Sequence, residues 1–259
     1  MLRVFLLSLI MISFLGCNFS EAKKESTKSK KVPKDILFMQ RAFPFDQIKQ
    51  GAYEEAKIWR KQKLSNKNSN VSWEFSGPVN IGGRITDIEV ALDDQNTYYV
   101  AAASGGVFKT VDAGSNWIPV FDDQPFLSIG DIELSQNNTD LVWVGTGEPN
   151  AGGGSLAYDG NGVYVSFDGG LNWENKGLNE VGSIGKVKVD PNNDNRVFVA
   201  AMGPLFRKDL NRGVYRTTNG GEDWDQVLFV SDSTGVIDMA IHPLNGDVVY
   251  ATSWERTRR

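Results

Sequence analysis

Ser166-Phe167-Asp168-Gly169-Gly170-Leu171-Asn172-Trp173 reads as a tight turn closed by a tryptophan. The Ser and Asp oxygens are placed to accept bonds from nearby backbone N–H groups and so pin a hairpin. Glycine supplies the positive φ that such a turn demands, and the Trp brings a large apolar face to bury. The pattern recurs as Thr110-Val111-Asp112-Ala113-Gly114-Ser115-Asn116-Trp117 and as Thr217-Thr218-Asn219-Gly220-Gly221-Glu222-Asp223-Trp224. The three indoles are 56 and 51 residues apart. Asn219 replaces the Asp in the third copy and retains an accepting oxygen.

Two other elements repeat in phase with the turn. Ile85-Thr86-Asp87-Ile88-Glu89-Val90 aligns with 129–134, 184–189 and 236–241, and a second strand-like stretch follows at 97–103, 141–146, 196–201 and 248–253. Each unit reads as strand, turn, strand, loop, strand, Trp-closed turn, strand. Four strands in roughly 50 residues make one propeller blade. The expectation is an all-β fold, a β-propeller with about three and a half blades between 71 and 259 and a ring not completed within them. The 27 glycines beside short β-rich runs agree with this.

The three turns resemble the Asp-boxes, or bacterial neuraminidase repeats, of sialidases, sortilin-type receptors and xyloglucan-cleaving glycoside hydrolases. With Trp73 and Gly77-Pro78-Val79-Asn80-Ile81-Gly82-Gly83-Arg84 ahead of them, they are similar to bacterial sortilin-type, glycosyl-hydrolase-like propeller proteins. In these families the boxes are structural, so the resemblance implies a fold and leaves function to the loops. The arginine triad and Tyr–Glu pair of a sialidase are not found. Arg84 is a candidate first arginine only.

The N-terminus reads as an export signal: Met1-Leu2-Arg3, then an apolar run from Val4 to Leu15 that is short for a membrane span. Phe14-Leu15-Gly16-Cys17 resembles a lipobox, which implies lipidation at Cys17 and a membrane-anchored lipoprotein of the bacterial cell envelope. Cys17 is the sole cysteine, which leaves no partner for a disulfide and fits lipidation better. Residues 18–70 divide into a Lys/Ser/Glu-rich tether and a short helix at about 46–63, followed by the propeller region 71–259. The alternative is a cleaved signal with an incidental Cys.

Loops between second and third strands share one face, where binding usually resides. They contain Glu148, Asn150, Arg207, Trp254 and Arg256, and with Arg84 and with Lys186 of the first-strand column these are the candidate ligand residues. The first strands carry an aligned column, Asp87, Asp131, Lys186 and Asp238. The acids are candidate catalytic groups for a glycosidase, or members of a hydrated, partly paired ring with Lys186. The net charge of −5 argues against a nucleic-acid surface. With His242 as the only His, and in a turn, a His/Cys metal site is excluded. No cofactor motif appears. The expected function is an exported binding protein that presents its loop face to a peptide, protein or glycan and touches the membrane only through its lipid. The alternatives are a glycoside hydrolase or a scaffold for further domains.

Overall fold

The computed structural model describes residues 39–40, 42–44, 49, 51–64, 74, 82–150 and 159–257. The signal, Cys17, the tether, Trp73 and residues 75–81 lie outside the described residues. Helix α1, Ala52–Leu64, has Glu54 and Glu55 in its first turn and Lys61 and Lys63 in its last, each sign matched to the helix dipole. It starts later than the apolar spacing suggests because Gly51 takes a left-handed φ of 73°, which a helix cannot continue. Lys57 Nζ donates to the carbonyls of Asp122 and Gln124, and Tyr53 meets the ring of Phe126 edge-on at 5.6 Å.

The rest is antiparallel sheet. The first sheet runs β1 (Ile85–Val90), β2 (Tyr98–Ala102), β3 (Gly106–Thr110), β4 (Ile118–Pro119), and the second β5 (Ile129–Leu134), β6 (Val142–Thr146), β7 (Val163–Ser166), β8 (Glu174–Asn175). The third runs β9 (Ile184–Asp190), β10 (Asn193–Ala201), β11 (Gly213–Thr217), β12 (Asp225–Leu228). A fourth sheet has two strands, β13 (Thr234–His242) and β14 (Asn245–Glu255). Within each sheet every strand pairs with its predecessor in sequence, as in a meander. Trp254 and Glu255, read as loop from the sequence, extend β14 because they pair with Gly235 and Thr234.

The core lies between sheets. In the second and third sheets the first three strands present two apolar faces, and each face meets a different neighbouring sheet. Tyr99, Val107 and Phe121 pack on Ile132, Val144 and Tyr164 of the next sheet. Trp143, Val163 and Val165 pack on Ile184, Val187 and Val199 of the third. Phe198, Ala200 and Val214 pack on Val236 and Met239 of the fourth. The first-to-second-strand turns are also joined sheet to sheet: Thr139 Oγ1 donates to Asp93, Ser135 Oγ to Asp194, and Arg196 to Asp247.

The three Trp-closed turns share one hydrogen-bond network. In the second copy, Ser166 Oγ donates to Asp168 Oδ1 at 2.8 Å and accepts from Gly170 N, also at 2.8 Å. Asp168 in turn accepts from the backbone and side-chain amides of Asn172. Thr110, Asp112, Gly114 and Asn116 repeat this arrangement. The Asn172 side-chain amide, then its backbone N–H, holds the Asp168 carboxyl at about 2. In the third copy Thr217 and Gly221 keep their bond, but the amide and acid have exchanged places. Asn219 Nδ2 donates to Asp223 Oδ2 at 3.1 Å, so the Asp-to-Asn change at 219 is matched by Asn-to-Asp at 223.

The fourth turn position is Ala113, Gly169 or Gly220, and all three adopt positive φ: 56°, 67° and 69°. Only Ala113 has a Cβ to strain there. Ala113→Gly is expected to stabilise the chain by about 1 kcal/mol, read as a higher urea midpoint at unchanged slope. No change or a loss contradicts this reading of the turn.

The closing tryptophans tie sheet to sheet. Trp173 Nε1 donates to Val120 O just past β4, at 2.8 Å, and its ring meets Phe121 edge-on at 5.0 Å. Trp224 Nε1 donates at 2.7 Å to Lys176 O, the matching position past β8. Trp117, which would face a sheet preceding the first, is 42% exposed. Among the described residues the sheets therefore form successive blades of an open arc. Ile88, Val90 and Trp117 are exposed at one end, and Tyr250 at the other.

Candidate functional site

The inner strands β1, β5 and β9 bring Asp87, Asp131 and Lys186 together. Lys186 Nζ donates to Asp131 Oδ1 at 2.7 Å and to Asp87 Oδ2 at 3.1 Å, bridging three blades. Asp131 is buried, and its second oxygen accepts from Val187 N at 2.8 Å. Burial works against the Lys186 ammonium, but the Asp131 and Asp87 carboxylates outweigh it and raise its pKa. Asp238 is exposed and stands apart, accepting from the adjacent Met239 N. Three members of the predicted column thus form a closed ion cluster, and the fourth does not join it.

A second layer lies two residues further along the same strands: Glu89, Glu133 and Lys188. The strand period of two signals it, because alternate residues share a face. Lys188 Nζ donates to Glu133 Oε2 at 2.5 Å. Glu89 has no such partner among the described residues. Burial, then the neighbouring Glu133 charge, pushes its carboxyl up to about 7, with Lys188 opposing.

A raised carboxyl pKa means that the folded state holds a proton the unfolded chain releases. Stability is then greatest below 4.5 and declines as pH climbs toward 7. Discounted for partial exposure, the loss is about 2 kcal/mol. Glu89→Gln is expected to match the parent at pH 4.5 and to exceed it by that amount at pH 8. Equal stabilities at both pH values contradict the assignment.

The loop face carries the second group. Glu148 is fully buried; its Oε1 accepts from Asn150 N at 2.6 Å and its Oε2 from Arg84 at 2.5 Å. Arg84 also reaches Asn150 O, and Arg256 donates to Pro149 O at 2.6 Å. The segment Glu148–Asn150 is thus held by arginines from the first and fourth blades. Arg256 also lies 4.5 Å above the Trp254 ring, a cation–π contact. Arg207 sits apart from this group, paired with Asp159 and Asp209. Buried Arg212, not singled out in the sequence, binds the carbonyls of Met202, Pro204 and Arg207 and so shapes that loop. His242 Nδ1 accepts from Leu244 N within the β13–β14 turn.

No family model and no curated protein matches the sequence. Solved structures do. An ancestral GH74 enzyme superposes with a TM-score of 0.51 at 21% identity, over 67% of this chain and 22% of its own. The GH74 enzyme of Niastella koreensis does so with a TM-score of 0.51 at 22% identity, over 69% of this chain and 29% of its own. The fold is an incomplete β-propeller. YCF48 bound to D1 peptide aligns with a TM-score of 0.41 at 15% identity, over 58% of this chain and 41% of its own. The chain spans less than a third of the length of the two GH74 enzymes, and at such identities the likeness concerns the propeller fold alone.

Proposed function

We propose that this chain is an exported, lipid-anchored cell-envelope binding protein that presents its loop face to a peptide, protein or glycan. One observation carries the reading. The inner-strand acids Asp87, Asp131 and Glu133 are engaged by Lys186 and Lys188, whereas Arg84, Arg207 and Trp254 stand partly open to solvent on the loop face. Carboxylates held by ammonium groups are poorly placed to act as nucleophile or base. Arg84, held by Glu148, and Arg207, held by Asp159 and Asp209, each keep about half of the side chain open to solvent, and with the stacked indole they suit recognition. Export and anchoring are supported by the apolar run before Cys17.

The test is a panel of soluble oligosaccharides and peptides offered to the intact chain. The expected result is saturable binding without bond cleavage, weakened roughly tenfold or more by Trp254→Ala or Arg207→Ala with thermal stability unchanged. A second reading, a glycoside hydrolase, is favoured by Glu89, whose half-buried carboxyl, without an ion-pair partner among the described residues, has the proton affinity of a general acid. Turnover of a polysaccharide that Glu89→Gln abolishes would replace the first reading with this one.

A further inference from the structure

The connections from first to second strand lie at the opposite end of the strands from the loop face, because neighbouring strands are antiparallel. Three of them are seven residues long and align position for position: 91–97, 135–141 and 190–196. They are flanked by the pairs Val90–Tyr98, Leu134–Val142 and Val189–Val197. The third position is Asp93, Asn137 or Asn192. Asn137 Nδ2 reaches across to the third blade, donating to Pro191 O at 3.2 Å and to Asp194 Oδ1 at 3.0 Å. Asn192 Nδ2 reaches across to the fourth in the same way, donating to Leu244 O at 3.5 Å. Asp93 has no N–H to give. It accepts from Thr139 Oγ1 at 2.8 Å instead, and cannot make the amide-to-carbonyl bridge. At this junction of the first and second blades a cleft of about 330 Å3 lies between the two turns.

Leu92, Asp93, Gln136, Asn138, Thr139 and Asp140 line the cleft, and all but Thr139 are exposed. None of them is basic. Thr139 Oγ1 and one oxygen each of Asp93 and Asn138 are engaged within the chain. Asp93 Oδ1, the Asp140 carboxylate, Asn138 Nδ2 and the Gln136 carboxamide have no partner among the described residues. Free carboxylate oxygens thus stand beside free amide N–H groups.

A hydroxyl is the group that uses both kinds at once, donating to a carboxylate and accepting from an amide. An anion would meet two carboxylates. A cation would leave the amide N–H groups unused, and its pairing with an exposed carboxylate contributes little. Leu92, 70% exposed, offers an apolar edge for the C–H face of a ring. The volume is at the small end for a ligand site and suits one ring rather than a long segment. We propose that the cleft between the β1–β2 and β5–β6 turns is a second binding site, on the face opposite the loops, for one sugar unit of a neutral glycan. Asp93 and Asp140 accept from its hydroxyls, and Gln136 and Asn138 donate to them.

The probes are neutral tetrasaccharides of a β-glucan, an α-glucan and a mannan, titrated into the nitrogen-15-labelled 259-residue chain. The expected result is a saturable shift of the Asp93 and Gln136–Asp140 amides with at least one of them, at concentrations on the order of 1 mM. Asp140→Ala removes a side chain that bonds nothing else among the described residues, and is expected to weaken binding about tenfold. Asp93→Asn supplies the missing amide and is expected to close the cleft, with a similar loss of binding and no loss of thermal stability. Trp254→Ala and Arg207→Ala leave these shifts unchanged, so this site is tested separately from the loop-face reading. The proposal is overturned if no tetrasaccharide moves these amides, if the Asp140→Ala chain binds equally, or if Asp93→Asn keeps full affinity. It is also overturned if N-acetyl-arginine amide moves the same amides at lower concentration, which would make the cleft a seat for basic peptide side chains.

Discussion

Lys186→Met is expected to be among the most damaging single changes in the chain, costing about 3 kcal/mol or more. The substitution keeps the length and apolar stem of the side chain and removes its charge. It leaves two carboxylates facing each other across the inner strands, one of them fully buried. The loss is not that of a surface ion pair, because Asp131 cannot turn to water. Restoring neutrality should recover much of it: Asp87→Asn and Asp131→Asn in the Lys186→Met background keep an oxygen available for Val187 N while removing the repulsion. Urea denaturation of the parent, the single variant and the triple variant checks this. A single variant within about 0.5 kcal/mol of the parent means that the cluster does not join the blades.

Gly130→Ala is the other large effect expected. Gly130 has no unusual φ; its constraint is space. A Cβ there would lie 1.8 Å from the carbonyl oxygen of Ile184 and 2.6 Å from that of Gly147. Both atoms are backbone, so no side chain can swing aside, and the second and third blades must move apart. The cost is expected to exceed about 3 kcal/mol, seen as loss of soluble protein or a much lower thermal midpoint. Gly185 repeats the arrangement against Ile237 O at 2.2 Å, so Gly185→Ala should behave likewise. An unchanged midpoint for either variant means that the inner strands are further apart than described.

These two positions show what the sequence disclosed and what it withheld. The sheet order was legible because the Trp-closed turn, the inner strand and the second strand repeat in phase, and hydrophobic period and turn chemistry are local signals. The Asp87–Asp131–Lys186 column was legible as an alignment, but its meaning was not. Lys186 could be read as lining a wet channel, and only the packing shows that it reaches two blades. Glu89, Glu133 and Lys188 stand in the same aligned blocks, one strand period further on, and carry the same kind of signal. Asp238 shared the column by alignment alone. The pairing of Arg84 with Glu148 spans 64 residues, a separation that no local pattern encodes. The compensating exchange of Asn219 and Asp223 was open to inspection, yet only the hydrogen-bond geometry gives it a reason.

Successive blades are locked by the indole of one turn on a carbonyl of the blade before. Nitrogen-15 NMR measurement of indole N–H exchange tests this directly, because Trp117, Trp173 and Trp224 occupy the same place in three repeats. Slow exchange is predicted for Trp173 and Trp224, which donate to Val120 O and Lys176 O, and fast exchange for Trp117, which is 42% exposed. Three indoles exchanging at one common rate, fast or slow, would contradict the stacked and open arc.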